Sequence, residues 1–133
     1  MKYLLVLLLL VNFPARANWE LVAENNNGDT FFVDFQTLLK QGSRVKFWRL
    51  LNYSKPTDMS GLNVLSLRGR IEIDCNEQTS RILTATAHSQ NYAKGSELWA
   101  LSSDELDGKW THTVPNSTMW IILQRVCKTP AKP

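Results

Sequence analysis

The chain has 133 residues, 44% hydrophobic and 20% charged, with a formal net charge of +3. That length fits one domain with a modest core. Lys2 and Arg16 supply part of the charge; without them 13 basic residues face 12 acidic ones, about +1, and nothing in this balance argues for nucleic acid.

The chain opens "MKYLLVLLLLVNFPARANWELV". Lys2 precedes an unbroken apolar run from Tyr3 to Val11, Pro14 breaks it, and Ala15 and Ala17 are small. These are the three parts of a secretory signal peptide, with cleavage expected between Ala17 and Asn18. The other reading, a membrane anchor, would need about 20 apolar residues. No later stretch is long enough to span a membrane. The expected organisation is a signal peptide over 1–17, one domain over 18–127 and a short disordered tail over 128–133, "KTPAKP".

"NWELVAEN" reads as a first strand, "NNNGD" as a turn and "TFFVD" as a second strand, a hairpin. "DFQTLLKQG" carries a short helix signature, with Asp34 as cap, Phe35, Leu38 and Leu39 on one side and Gly42 as stop. "SRVKFWRLLNY" predicts a long strand. Val45, Phe47, Leu51 and Tyr53 share one face, with Arg49 out of character among them. Arg44, Lys46, Trp48, Leu50 and Asn52 share the other. "SKPTDMSG" reads as a loop. "NVLSLRGRIEIDC" alternates cleanly: Leu65, Leu67, Ile71, Ile73 and Cys75 oppose Ser66, Arg68, Arg70, Glu72 and Asp74. "RILTATAHSQNY" gives a further strand, with Leu83, Ala85 and Ala87 opposite Thr84, Thr86 and His88. "ELWALSS" is a short strand, and "DELDGKWTHTV" is loop-like. "NSTMWIILQRVC" predicts a helix capped by Asn116 or Ser117, with Met119, Ile122, Leu123 and Val126 facing a sheet. The fold class is α+β: a single, mainly antiparallel sheet of about six strands, with one short helix and a C-terminal helix on one face.

Two cysteines in an exported chain allow one pairing, Cys75 with Cys127. Closing a loop of roughly 50 residues stabilises a fold by about 4 kcal/mol on chain-entropy grounds. Free thiols are the minor alternative. A zinc site would need about four ligands at short spacings, and His88 and His112 lie near neither cysteine, so no metal or other cofactor is expected. No serine sits in a nucleophile elbow and no glycine loop cradles phosphate. Glu72 and Asp74 could form an acid–base pair, but ion pairing with Arg68 and Arg70 in the same row is the simpler reading. The chain therefore reads as a non-enzyme, with a hydrolase built on His88 or His112 as the remote rival.

If the two long strands pair, Arg44, Lys46, Trp48, Arg68 and Arg70 form a basic patch around an exposed tryptophan. Arginine and tryptophan dominate interface energies, so these five are the candidate partner-binding residues. The plain alternative is a solvated sheet face.

Several segments also resemble, in order, the surface-adhesin protein E family of Gram-negative bacteria: Trp19 and "FFVD", "GSRVKFWRLLNYSKP", "SLRGRIEIDC" with Arg81 after it, Lys109-Trp110, "VPNS" from Val114, and the final Cys127. The resemblance implies a small antiparallel sheet with helices packed on it, a disulfide matching Cys75 to Cys127, and export. It also implies kinship with an adhesin that binds host matrix and serum proteins and is lipid-anchored through a cysteine, where this chain has Ala17-Asn18. The function expected is an exported, adhesin-like binding module for a protein or for a matrix or envelope component, acting as a monomer or homodimer. The alternative is a periplasmic accessory or inhibitor domain. Either way the protein is periplasmic or secreted, with surface display left open.

Overall fold

A computed structural model describes residues 17–130. The body of the expected signal peptide and residues 131–133 of the expected tail lie outside the described residues. The elements are β1 (Glu20–Glu24), β2 (Thr30–Gln41), β3 (Arg44–Met59), β4 (Leu62–Asp74), β5 (Thr79–His88), β6 (Glu97–Leu101), β7 (Thr111–His112) and α1 (Thr118–Lys128). They form one sheet in the order β1-β2-β3-β4-β5-β6, every pairing antiparallel. The two-residue β7 pairs with β5 at Thr79 and Ser80, on the edge that β6 takes further along.

The C-terminal helix forms as its apolar spacing predicts. Ser117 caps it by accepting the Trp120 N–H, and Ile122, Leu123 and Val126 are buried, with Met119 against the core. It lies chiefly over β1 and β2. Beneath it, Phe31, Val33, Val45, Phe47, Ile71 and Ile73 complete the main core. Alternation in β3 and β4 put four of these on one face, and at about 25 cal/mol per Å² their burial is what holds helix to sheet. Cys75 leaves β4 beside this core and is bonded to Cys127 in the last turn of α1, Cα to Cα 5.9 Å.

The expected short helix over Asp34–Gly42 is absent: β2 runs on to Gln41, and Gly42 turns the chain towards β3. Between Asp34 and Leu39 the strand bulges, five positions on β2 spanning two on β3. Asp34 Oδ1 accepts the Gln36 N–H and the Thr37 hydroxyl donates to the Asp34 carbonyl, closing a turn inside the strand. The hump lets Phe35 and Leu38, three apart, both pack on the core. Helical spacing therefore arose without a helix. The expected loop over 54–61 is likewise mostly strand. A second bulge between Asn52 and Thr57 absorbs Pro56, which cannot donate to a ladder. The chain reverses only at Ser60 and Gly61, both left-handed, as a two-residue hairpin turn requires.

Arg49 does stand on the helix face, opposite Gly69. Burial lowers its pKa, and its Nε is buried without a hydrogen-bond partner among the described residues. Gly69 sits at a close approach: a Cβ there would meet the Thr84 carbonyl oxygen at 3.0 Å, so that strand would have to give.

Candidate functional site: a tryptophan–arginine face

Register fixes what lies on the face away from the helix. Asp34, Trp48, Arg70 and Thr84 are successive cross-strand partners. The next row is Phe32, Leu50, Arg68, Thr86 and Ala100; the one beyond is Thr30, Asn52, Ser66 and His88. On the other side of Trp48 stand the rows Lys46–Glu72–Arg81 and Arg44–Asp74–Thr79. All five residues read from the sequence as a patch thus share this face.

They do not form one uniform patch. Arg68 lies over the Trp48 ring at 4.9 Å and Arg70 at 6.0 Å. Arg44 instead lies over Trp110 at 5.1 Å, and Arg81 covers that ring at 4.6 Å. The acids choose their partners across strands. Arg81 binds Glu72 at 2.6 Å, and Arg44 approaches Asp74 at 3.8 Å. Ion pairing is therefore the fate of Glu72 and Asp74, but with Arg81 and Arg44 rather than with Arg68 and Arg70. Direct cross-strand neighbours sit closer than residues two apart on one strand, and no alternation pattern reveals them. Backbone N–H groups of Glu77 and Asn76 hold the Asp74 carboxyl below its ordinary pKa, and Arg44 adds to this. Among the described residues, no carboxylate lies within ion-pair distance of Lys46, Arg68 or Arg70.

The face is also not wholly open, contrary to the sequence expectation. Leu50, expected on the free side, is fully buried there. The segment 89–96 covers that end. The Ser66 hydroxyl donates to the Gln90 carbonyl at 2.6 Å and accepts from Ala93 N–H at 3.0 Å. Asn52 Oδ1 accepts the Tyr92 N–H at 2.8 Å, and Asn91 donates to the carbonyls of Tyr53 and Leu65. Tyr92 packs on Phe32, ring centroids 5.5 Å apart. Tyr92 and Ala93 are both left-handed, a costly conformation that these bonds hold in place. The strand expected over "RILTATAHSQNY" therefore ends at His88, and the residues after it turn back over the sheet instead.

Arg68 stands between two hollows. One, about 350 Å³, runs between Trp48, Arg68, Thr84 and Thr86 and the chain from Ala100 to Glu105. The other, about 490 Å³, is lined by Ala17, Trp19, Arg68, Tyr92, Ala93 and Lys94. His88, next to this region, bonds the Thr86 hydroxyl through Nε2 at 3.1 Å, while its Nδ1 is buried without a hydrogen-bond partner among the described residues. Burial first, and Arg68 second, lower its pKa and so disfavour the charged ring. His112 is exposed on β7. Among the described residues, no group of three or more His, Cys, Asp or Glu could hold a metal ion, and no helix is long and apolar enough to cross a membrane.

No individually curated protein matches the sequence. Solved structures do. Haemophilus influenzae protein E in crystal form II is 13% identical over 85% of this chain and 89% of that one, with a TM-score of 0.64. Its selenomethionine form is 13% identical over 85% and 88%, with a TM-score of 0.61. At such identity the likeness speaks for the fold alone. The sequence itself matches the description "Surface-adhesin protein E" from residue 19 to residue 128, which takes in every strand, the helix and both cysteines. The chain belongs to the surface-adhesin protein E family.

Proposed function

We propose that this protein is an exported, non-enzymatic binding module that recognises an acidic protein, matrix or envelope partner through Trp48, Arg68 and Arg70. One observation carries the reading. These two arginines flank an aromatic ring at the edge of a groove and have no acid within ion-pair distance among the described residues. Trp48 is half-buried rather than fully exposed, and a tryptophan beside arginines without paired acids is the composition of an interface centre. Lys46 adds charge at the margin. Arg44 is a supporting residue, since its charge is partly offset by Asp74. Family membership favours adhesin-like binding, and the disulfide favours an oxidising compartment. Cleavage after Ala17 belongs to the same reading, and the intact mass of exported material should begin at Asn18.

Poly-L-glutamate serves as an acidic probe. The mature chain should bind it more weakly as salt rises, because exposed charges are screened within about 10 Å at 0.1 M. Arg68→Glu with Arg70→Glu should weaken binding by about tenfold or more. Arg44→Glu with Lys46→Glu should weaken it less. Equal losses, or none, would remove this face from the reading. Proteolysis of intact cells separates surface display, where the chain is cut, from a periplasmic location, where it survives.

A further inference from the structure

Asp34 ends the regular part of β2, and only 5% of its surface is exposed. Its Oδ1 accepts the Gln36 N–H at 3.0 Å. Its Oδ2 accepts the backbone N–H of Asn18 at 3.4 Å, long for an amide bond. The ion pairs among the described residues join Arg44–Asp74, Arg81–Glu72, Lys109–Asp107 and Arg125–Glu20; none includes Asp34. Directly across the ladder stands Trp48, a ring rather than a cation. A carboxylate this far from water is costly unless it is charge-paired.

The nitrogen already aimed at this carboxylate belongs to the peptide bond that the signal pattern marks for cleavage. Hydrolysis would leave a carboxylate on Ala17 and a free amine on Asn18, which takes up protons to become an ammonium. One weak neutral donor becomes a cation with three N–H groups. We propose that the mature amino terminus is a structural group: the α-ammonium of Asn18 pairs with buried Asp34, so that leader removal locks the start of the chain onto β2. Charge-assisted contacts of this kind close to about 2.7–2.9 Å. Two further consequences follow from position. Trp19, the next residue, walls the larger hollow with Arg68, Tyr92 and Lys94, so fixing Asn18 fixes that wall. The pair also neutralises the acid directly beside Trp48, leaving the charge of Arg68 and Arg70 unopposed there.

The inference rests on the cleavage position proposed above, and chains made to order test it separately from that position. Three are needed: one beginning at Asn18 with a free amine, the same chain Nα-acetylated, and one retaining Ala17. Each is made with Asp34 and with Asp34→Asn. The free Asn18 chain should have the highest Tm at neutral pH, with acetylation or the extra residue lowering it by about 5 °C. In the Asp34→Asn background the three should melt together. A second measurement stands if that variant fails to fold: the Asn18 amine in the native Asp34 chain should react with an acylating reagent several-fold more slowly than the free amine of the chain retaining Ala17. Unchanged Tm on acetylation, a loss that persists with Asp34→Asn, or equal amine reactivity would overturn the pair. An exported protein beginning elsewhere would overturn the cleavage position instead, whatever the made chains show.

Discussion

Two tryptophans on one sheet face are each covered by two arginines, yet they sit in different electrostatic company. Around Trp110, Arg81 is bound to Glu72 at 2.6 Å and Arg44 lies 3.8 Å from Asp74. Around Trp48, no carboxylate among the described residues lies within ion-pair distance of Arg68 or Arg70. The first cluster is a neutralised staple. It ties the segment before β7 to β3, β4 and β5, close to where Cys75 is bonded to Cys127. The second keeps its charge and borders two hollows. The same residue types thus serve structure where a cross-strand acid balances them, and remain available for binding where none does.

The largest expected effect falls on the neutralised end. Replacing Cys75 with serine should lower stability by about 4 kcal/mol in urea unfolding. It should loosen the Trp110 cluster while leaving the environment of Trp48 nearly unchanged. Loss of structure around Trp48 first would break the distinction. Next comes Glu72→Gln. Glu72 is 4% exposed and its partner Arg81 partly so, and removing its charge should cost about 2 kcal/mol. Arg68→Gln should stay within about 0.5 kcal/mol, because it breaks no pair. Alanine at the two tryptophans should invert the outcomes. Trp110→Ala should mainly lower the melting temperature, and Trp48→Ala should mainly weaken binding to poly-L-glutamate.

The smallest effect is on pH dependence. The folded pKa of His88 lies below its ordinary value, about 6.5, because burial and Arg68 disfavour the charged ring. As pH falls, the unfolded chain takes up that proton first, so stability contributed by the neutral ring is lost below about pH 6.5. His88→Gln should flatten the decline in Tm between pH 7 and 5. Arg68→Gln should flatten it partly, which would tie His88 to the unpaired cluster.

The helix face was legible in the sequence because burial imposes a period. Val45, Phe47, Ile71 and Ile73 alternate, Ile122, Leu123 and Val126 follow helical spacing, and two cysteines leave one pairing. The rest was hidden for physical reasons. Phe35 and Leu38 imitate a helix because a turn closed on Asp34 brings both inward within a strand. The sharing of one face by Trp48, Arg68 and Arg70 could be read from alternation. The division of charge could not, because Glu72–Arg81 and Arg44–Asp74 are set by register. The cover of segment 89–96 over Leu50 rests on hydrogen bonds to the side chains of Ser66 and Asn52 and from Asn91 to the carbonyls of Tyr53 and Leu65, which have no period at all.

The five tryptophans give five indole N–H resonances, and they offer the most direct test of the division between the two clusters. Titrating the oxidised chain from Asn18 with poly-L-glutamate should shift the Trp48 indole saturably, and added salt should reverse the shift. The Trp110 indole, held between neutralised arginines, should stay in place. Binding that leaves Trp48 unmoved, or moves Trp110 more, would contradict the assignment of the binding face.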